Sequence, residues 1–406
     1  MSEERKSTNR RTFIRMGVAG VAGLSAGALK GQEPEKKTPS GKEETNPHPI
    51  PRRKLGRTGI EVPILSMGAQ AEDPAVYRAA AKAGITHFDT AETYNRGQHE
   101  EMLAEAMKDF PREQLLIGTK VYMHADQKTG LYPKNLSISS FYEKFEGSLK
   151  RLKMDYVDIL YIHSVTSAGG VSCAPLMEAL VKLKKEGKTR AIGLSTHTNE
   201  AQVIDAAREA KVYEVILTSY NFLQPHSAEM QRAIEQGAKA GIGFVAMKTQ
   251  AGVFYDRERK EPIPMKAALK WALSNPHIAT AIAGFTTFDQ LEEDLAAVQD
   301  LSLSAEEKKG LRLVEGKAGL YCSQCRQCLD QCPHSLSIPD YMRAYMYAYG
   351  YRNLSKAYQT LSEFKGKAVP CTECPSCTVT CAKQFDVKMK VLDVARISNI
   401  PEDILT

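Results

Sequence analysis

The sequence predicts an α/β fold, a (β/α)8 barrel of the TIM type, followed by a smaller all-helical domain. From Arg52 to Asp300, short runs rich in β-branched residues alternate with helical stretches, which is typical of parallel strands joined by crossover helices. The eight strand–helix units occupy the usual length of such a barrel, ~250 residues. Eight of the nine cysteines follow the last unit, which indicates a separate C-terminal domain.

The predicted strands and helices alternate strictly. Strands are expected at residues 62–69, 85–90, 115–121, 157–163, 190–196, 214–220, 243–249 and 279–285. The helices that follow them are expected at residues 73–83, 98–108, 137–152, 175–186, 199–210, 227–240, 264–274 and 288–300. An open doubly wound sheet is the alternative, but the sequence lacks both a Gly-x-Gly-x-x-Gly motif after the first strand and a phosphate-binding P-loop motif. The closed barrel is therefore favoured.

Length and charge limit the classes of function. A chain of 406 residues has room for two or three domains and at least one large core. Its formal net charge of +6 is a mild excess, whereas a nucleic-acid-binding protein normally carries a stronger and clustered basic bias. A nucleic-acid partner is therefore not expected.

The N-terminal segment is predicted to be a targeting signal. The arginine pair Arg10 and Arg11 precedes Phe13 and a weakly apolar run at residues 16–28, which resembles a twin-arginine export signal with its Ala-x-Ala cleavage site at the end. The run is about 13 residues long, and a span of a bilayer needs ~20, so a stable membrane anchor is not expected. A disordered basic tail on a cytoplasmic protein is the alternative.

These features divide the chain into four predicted regions. They are a signal peptide at residues 1–28, a disordered linker rich in Pro, Glu and Lys at 29–51, the barrel at 52–304 and the helical domain at 305–406. The mature protein is expected in the periplasm or otherwise exported, after recognition by the twin-arginine export machinery.

Four polar residues fall where a barrel places its active site, at the C-terminal ends of strands. Asp89 ends the second predicted strand, and Tyr94 follows it by five residues. Lys120 and His163 end the third and fourth predicted strands. Each residue alone is compatible with a structural role at a loop.

Together the four residues predict proton-transfer chemistry. A desolvated Lys120 needs a counter-charge, which Asp89 on the neighbouring strand can supply. A lysinium beside a phenol lowers the tyrosine pKa from ~10, so that Tyr94 can exchange a proton with a carbonyl or alcohol oxygen. A neutral His163 can donate a hydrogen bond to the same oxygen.

The motifs FDTAETY, IGTKV and LYIHS, which carry these residues, resemble the Asp, Tyr, Lys and His tetrad of the aldo-keto reductase family. The opening RKLGRTGIEVPILSMG is similar to the N-terminal hairpin and first strand of that family, and the resemblance extends from Arg52 to Leu301. It implies an oxidoreductase that transfers a hydride between a nicotinamide cofactor, NAD or NADP, and a carbonyl or alcohol. Tyr94 would be its general acid or base.

The resemblance also implies cofactor-binding residues. The family binds the carboxamide at the positions of Ser195 and Thr196, whereas its frequent glutamine is replaced here by Leu217, and Met247 stands where many members stack an aromatic ring on the nicotinamide. No Lys or Arg lies in residues 282–295 to hold a 2′-phosphate, which leaves NAD and NADP both open. The expected adenosine end is surrounded by Gly284, Thr286, Thr287, Gln290 and Asp294.

The C-terminal cysteines form two copies of one pattern. The spacing C-x2-C-x2-C-x3-C-P is formed by Cys322, Cys325, Cys328 and Cys332, and it is repeated without the proline by Cys371, Cys374, Cys377 and Cys381. In bacterial ferredoxins this run holds [4Fe–4S] clusters, and its fourth cysteine serves the other cluster. The sequence therefore predicts two clusters, one on Cys322, Cys325, Cys328 and Cys381 and the other on Cys371, Cys374, Cys377 and Cys332.

Zinc sites, disulfides and purely structural clusters are the alternatives. The third and fourth cysteines of each run oversupply a tetrahedral zinc site, and disulfides within a run would close only tiny loops. The 38-residue spacer between the runs predicts two helices broken near Gly350, which favours an all-helical ferredoxin type. Its aromatic stripe is expected to pack against the neighbouring domain and consists of Tyr341, Tyr345, Tyr349 and Tyr351.

The whole pattern resembles the iron–sulfur subgroup of aldo-keto reductases. The leading hypothesis is an exported oxidoreductase that interconverts a small polar alcohol, such as a sugar, with its carbonyl form through bound nicotinamide. Its electrons would pass through the two clusters to a redox partner protein, although no motif for the usual flavin intermediary is present. The alternative is an electron-transfer or partner-binding iron–sulfur protein with a catalytically silent barrel. The substrate, the direction of reaction and the oligomeric state are not specified by the sequence.

Overall fold

The structure is a computed structural model that describes residues 49–224, 227–312, 319–364, 366 and 369–401. The predicted signal peptide and the linker up to residue 48 lie outside the described residues. The described residues belong to one compact unit. Within the described part, no helix is both long enough and apolar enough to cross a bilayer.

The barrel prediction is confirmed. Eight parallel strands close on themselves in the order β10-β3-β4-β5-β6-β7-β8-β9. They are β3 (Leu65–Met67), β4 (His87–Asp89), β5 (Leu116–Val121), β6 (Val157–Ile162), β7 (Thr189–Thr196), β8 (Val215–Ser219), β9 (Gly243–Met247) and β10 (Ile278–Ala283). An antiparallel hairpin, β1 (Arg52–Lys54) and β2 (Glu61–Pro63), precedes them. Ile50 is already buried in the core, so the folded chain begins before the predicted boundary at residue 52.

An outer layer of helices covers the strands because each helix has one apolar face. The eight predicted helices are present as α1 (Pro74–Lys82), α2 (Gln98–Met107), α3 (Ile138–Leu152), α5 (Ala174–Lys185), α6 (Glu200–Ala210), α7 (Ser227–Lys239), α8 (Met265–Ser274) and α9 (Phe288–Ala297). One short extra helix, α4 (Ala168–Val171), precedes α5. Side-chain caps begin several of them, for example Asp73 on α1 and Ser137 on α3.

The C-terminal region has only helices among its described residues. They are α10 (Ala305–Gly310), α11 (Ile338–Tyr345), α12 (Leu354–Leu361) and α13 (Val387–Ala395). A π-helical turn, Met346–Gly350, separates α11 from α12, as the predicted break near Gly350 requires. The apolar faces of α11, α12 and α13 form one small core with residues such as Met342, Leu361 and Val391.

The C-terminal domain contacts the loops that follow the barrel strands. The Asn353 side-chain amide donates to Gln70 Oε1 after β3 at 3.2 Å, and the Val253 N–H after β9 donates to the Gly350 carbonyl at 2.9 Å. Lys383 Nζ donates to the carbonyl of Leu223, after β8, at 2.6 Å. These loops surround the carboxyl ends of the strands, so the helical domain covers the mouth of the barrel.

Candidate active site

Lys120 and Asp89 form an ion pair at the mouth. They lie on the neighbouring strands β5 and β4, and their side chains are only 1% and 2% exposed. The Lys120 ammonium is paired with Asp89 Oδ1 and also donates to the Thr90 carbonyl at 2.6 Å. Burial acts to lower the pKa of Lys120, but Asp89 and Tyr94 outweigh it and raise that pKa, so the lysine is charged. The predicted pairing is present.

Tyr94 opens a 3-10 turn, Tyr94–Gly97, in the loop after β4. Lys120 Nζ lies 4.9 Å from its ring centroid, and Lys356 Nζ, from α12 of the helical domain, lies 4.1 Å from it. The pKa of Tyr94 is nevertheless raised, because burial outweighs the lowering effect of Lys120. The lowered pKa that the sequence predicts for Tyr94 is wrong, because protein atoms around the phenol disfavour the phenolate more than the lysine favours it.

His163 directly follows β6 and faces Tyr94. Its backbone N–H donates to the Val121 carbonyl at 2.9 Å, which continues the sheet, and the two rings meet edge to face with centroids 5.8 Å apart. Burial and the positive charges of Lys120 and Lys356 hold the pKa of His163 well below its usual value. The imidazole is therefore neutral and can donate or accept a hydrogen bond, as predicted.

Three of the predicted residues, Tyr94, Lys120 and His163, border one cleft of about 1620 Å³, a volume that includes space open to solvent. Side chains from both domains line it. The barrel supplies Tyr94, Lys120, His163, Ser195, His197, Met247 and Lys248, among others, and the helical domain supplies Gln324, Arg326, Asp340, Arg343, Tyr347, Lys356 and Gln359. A molecule in this cleft would contact the helical domain as well as Tyr94, Lys120 and His163, whereas Asp89 lies behind Lys120 and does not line the cleft.

The ring end of a nicotinamide fits this cleft in part. Ser195 and Met247 line it beside Tyr94, and the Ser195 hydroxyl accepts a hydrogen bond from the Ser164 N–H at 2.9 Å. Thr196 is fully buried, and its hydroxyl donates to the Thr198 carbonyl at 3.0 Å. Of the two predicted carboxamide residues, only Ser195 therefore borders the space where a ring could lie.

The predicted adenosine-end residues lie elsewhere. None of residues 284–294 lines the cleft. Gln290 Oε1 accepts hydrogen bonds from the Thr286 N–H at 2.7 Å and from its hydroxyl at 3.2 Å, and the Thr287 hydroxyl accepts one from the Gln290 N–H at 3.3 Å. Asp294 is buried, and desolvation raises its pKa to about 7. A β-carbon at Gly284 would lie 2.7 Å from Gln70.

The cysteines converge in the two groups that the sequence predicts. Cys322, Cys325, Cys328 and Cys381 line one cavity. The pKa of the Cys371 thiol is raised by burial and then by Cys332, Cys374 and Cys377, the members of the other predicted group, while Lys388 acts to lower it. All nine cysteines are free thiols. Among the described residues, no three ligating side chains are close enough to hold a single metal ion, but four thiols around a wider space are a donor set that fits an iron–sulfur cluster.

The first cysteine group lies next to the cleft. Gln324, Arg326 and Pro339 line both the cysteine cavity and the cleft. The Gln324 side-chain amide donates to Cys322 Sγ at 3.3 Å and to the Pro339 carbonyl at 3.2 Å. In the second group Cys377 is exposed. The two cysteine groups thus differ in position: one borders the cleft, and the other reaches the protein surface.

The cleft also contains side chains that the sequence does not predict as site residues, among them Lys248, Arg343, Tyr347 and Lys356. Lys248 directly follows β9, so the position of active sites in barrels could have indicated it. Arg343, Tyr347 and Lys356 belong to the helical domain, and only the packing of that domain brings them to the cleft. The predicted aromatic stripe divides in two: Tyr341 and Tyr345 are buried in the core of their own domain, whereas Tyr349 and Tyr351 contact the barrel as predicted, with the Arg257 guanidinium 4.7 Å from the Tyr349 ring centroid and Tyr351 packed in a cluster with Ala251.

Comparison with known proteins agrees with this architecture. Residues 68–267 match the aldo/keto reductase family, and residues 321–386 match a 4Fe-4S dicluster domain. The chain is 28% identical to L-galactose dehydrogenase from Arabidopsis thaliana over 66% of its length and 93% of that protein. It is 29% identical to methylglyoxal reductase DkgB from Salmonella typhi over 59% of its length and 86% of that protein.

The solved structure of aldo-keto reductase AKR11C1 from Bacillus halodurans, in its holo form, is similar in fold. It superposes with a TM-score of 0.54 and 24% identity, covering 68% of this chain and all of that one. The barrel therefore contains the region that matches the aldo/keto reductase family, and the region that matches a 4Fe-4S dicluster domain follows it.

Proposed function

Since the chain joins an aldo/keto reductase barrel of oxidoreductase type to a 4Fe-4S dicluster domain, we propose that it is an exported enzyme that interconverts a small polar alcohol and its carbonyl form. Two [4Fe–4S] clusters would exchange the electrons of that reaction with a redox partner protein. The observation that carries this proposal is the common wall between the first cysteine group and the cleft of Tyr94, formed by Gln324, Arg326 and Pro339.

The chain's own residues supply the proton chemistry. The raised pKa of Tyr94, caused by burial, keeps its phenol protonated, so in the reducing direction it can give its proton to the oxygen of a bound carbonyl. Lys120, charged and paired with Asp89, stabilises the phenolate that is left. The neutral His163 can donate a hydrogen bond to the same oxygen and orient it.

Electron balance requires two kinds of carrier. When bound, a nicotinamide supplies two-electron hydride exchange and each cluster supplies one-electron exchange, so two cluster electrons balance one hydride. Ser195 and Met247 would border the ring. The two cysteine groups would hold one cluster each, with the group around Cys322 nearer the substrate and the group around Cys371 nearer the partner.

Export is part of the proposal because of the twin-arginine segment, which lies outside the described residues. A folded domain with clusters inserted in the cytoplasm is suited to that route. We expect the purified periplasmic protein to begin after Ala28, which mass spectrometry of the N-terminus would test; an intact N-terminus would instead support a cytoplasmic enzyme.

The decisive experiment is substrate-dependent reduction of the clusters in the anaerobically purified full chain. With an alcohol found by screening sugars and related polyols, we expect the clusters to become reduced, as seen by electron paramagnetic resonance. Tyr94→Phe should slow this about 10²- to 10⁴-fold, the usual contribution of a general acid or base, whereas Tyr156→Phe, outside the cleft, should not.

A second candidate function is favoured by one observation, the internal pairing of the adenosine-end residues Thr286, Thr287 and Gln290. It is an electron carrier with a silent barrel. Assay of the denatured protein distinguishes the two: tightly bound nicotinamide with about eight irons supports the enzyme, and iron without nicotinamide or turnover supports the carrier.

A further inference from the structure

Two lysines in the cleft have no carboxylate partner. Lys120 is paired with Asp89, and Arg343 is paired with Asp340. Among the described residues, neither Lys248 nor Lys356 forms an ion pair with an acidic side chain, although both line the cleft. Both side chains are partly buried in the wall of the cleft, and a cation that is partly removed from water is stabilised by a bound anion.

Both ammonium groups are directed at tyrosines in the cleft. Lys356 Nζ lies 4.1 Å from the ring centroid of Tyr94, and Lys248 Nζ lies 5.6 Å from that of Tyr347. Lys248 follows β9 of the barrel, whereas Lys356 and Tyr347 come from the dicluster domain. The closure of the mouth by the second domain therefore gathers positive charge beside the catalytic phenol.

Other groups in the cleft respond to this positive field. Burial acts to raise the pKa of Tyr347, but Lys248, Lys356 and Arg343 outweigh it and lower that pKa to about 8. The pKa of His197 is held well below its usual value by burial and by Lys248 and Arg343. An anion bound here would relieve the repulsion among the cations.

The rest of the lining is rich in hydroxyl and amide groups. Gln127, Thr166, Ser337 and Thr360 border the same cleft, and such groups bind a ligand that carries several hydroxyls better than an apolar one. The cleft thus combines a cationic end near Tyr94 with a polar wall.

From these observations we infer that Lys248 and Lys356 form a subsite for the anionic group of the substrate, and that the substrate is a polyhydroxy carboxylic acid, a sugar acid rather than a neutral sugar. The inference rests on the proposed function and specifies its substrate class. The carboxylate would lie between the two ammonium groups, with the reacting alcohol or carbonyl carbon at Tyr94 and His163.

The phosphate of a nicotinamide nucleotide is another source of the same anionic chemistry. Binding measured by calorimetry on the anaerobically purified holoprotein separates the two sources. The probes are gluconate, its neutral polyol counterpart sorbitol, and NADP⁺. We expect gluconate to bind at least about 10-fold more tightly than sorbitol, because charge-assisted hydrogen bonds are the stronger ones.

The variants test the two lysines separately. Lys356→Met and Lys248→Met should each weaken gluconate binding about 10-fold or more and leave sorbitol and NADP⁺ binding unchanged. Lys356→Arg should restore gluconate binding if the variant is folded, and Lys134→Met, an exposed lysine outside the cleft, should have no effect.

Three results would overturn the subsite. They are equal affinities for gluconate and sorbitol, lysine variants that lose NADP⁺ binding but keep gluconate binding, and lysine variants that change neither. Because no turnover is measured, these results are independent of the proposed reaction. If Tyr94→Phe abolishes cluster reduction but neither lysine variant changes gluconate binding, the proposed function is supported and the proposed subsite is wrong.

Discussion

The barrel and the dicluster domain bury their apolar side chains on very different scales. The barrel has a large core that extends from Ile50 to Val298, and a second apolar cluster that includes Tyr161 and Leu217. Among the described residues, the core of the dicluster domain consists of fourteen buried residues, of which Cys371 is one, and Cys322, Cys328, Cys332 and Cys381 pack against it. Small domains rarely become stable on their apolar core alone and often depend on a bound metal. We therefore expect the barrel to fold by itself and the dicluster domain to depend on bound iron and sulfide.

The barrel and the dicluster domain also differ in whether their lysines at the cleft have an acidic partner. In the barrel, the deepest lysine, Lys120, has an acidic partner. At the surface that the dicluster domain presents to the cleft, Lys356 lies against the ring of Tyr94 and has no acidic partner among the described residues. We interpret Lys120, with its acidic partner, as a lysine that stabilises the fold. We interpret Lys356, which has no acidic partner and lies beside the reacting phenol, as a lysine that binds a ligand.

Loss of a cluster should have the largest effect on the difference in stability between the barrel and the dicluster domain. In Cys371→Ala, iron content should fall by about half, from about eight to about four atoms per chain. The dicluster domain should become protease-sensitive while the barrel remains resistant, as measured by iron assay and limited proteolysis. Cys173→Ala, at the one cysteine outside both groups, is the matched control and should retain full iron. A dicluster domain that stays resistant without its iron would show that the apolar core suffices.

Breaking the buried ion pair should have the next largest effect. Lys120→Met leaves the buried carboxyl of Asp89, whose pKa burial already raises, without its cationic partner, and breaking a buried pair in this way costs about 3–5 kcal/mol of unfolding free energy, measured by denaturant unfolding. Lys356→Met removes a lysine without a carboxylate partner and should not destabilise the protein. Equal losses of stability in the two variants would contradict the distinction between paired and unpaired lysines.

A buried carboxyl in the barrel wall should make stability depend on pH. The folded-state pKa of Asp294 is about 7, above its ordinary value, mainly through desolvation. The folded state therefore keeps a proton that the unfolded state loses, so the unfolding free energy falls as pH rises from roughly 4 to 7. Asp294→Asn should reduce this fall, seen as a smaller drop in Tm between pH 5 and pH 8. Asp289→Asn, on the exposed face of the same helix, should keep the wild-type slope.

The smallest effect is expected at the contact between the two domains beside Tyr94. The Gln359 side-chain amide donates to Asn95 Oδ1 at 2.9 Å, in a turn where Asn95 and Arg96 adopt left-handed backbone angles. Gln359→Ala should cost about 0.5–1.5 kcal/mol and speed hydrogen exchange in residues 94–97, while exposed Gln327→Ala should not. Unchanged exchange would mean that the barrel holds this turn without the second domain.

The sequence predicts those contacts that the periodicity of strands and helices determines. The barrel follows from alternating strands and helices, and Asp89 meets Lys120 because parallel strands bring their carboxyl ends together. The cysteine groups follow from spacing alone. Lys356 and Tyr347 could not be found this way, because only the packing of one domain on the other brings them to Tyr94. The pKa direction of Tyr94 was wrong for a related reason: the surrounding atoms that desolvate it come from distant parts of the chain.

The contact of the helical domain with the mouth has a consequence for assembly. A substrate pocket whose outer wall belongs to a metal-dependent domain is complete only after the metal has been inserted. A chain that has folded its barrel but not yet received iron would have its tetrad in place and still lack half of its pocket. Maturation of the cofactor domain and readiness of the active site would then be one event, so that an immature chain could not react with metabolites.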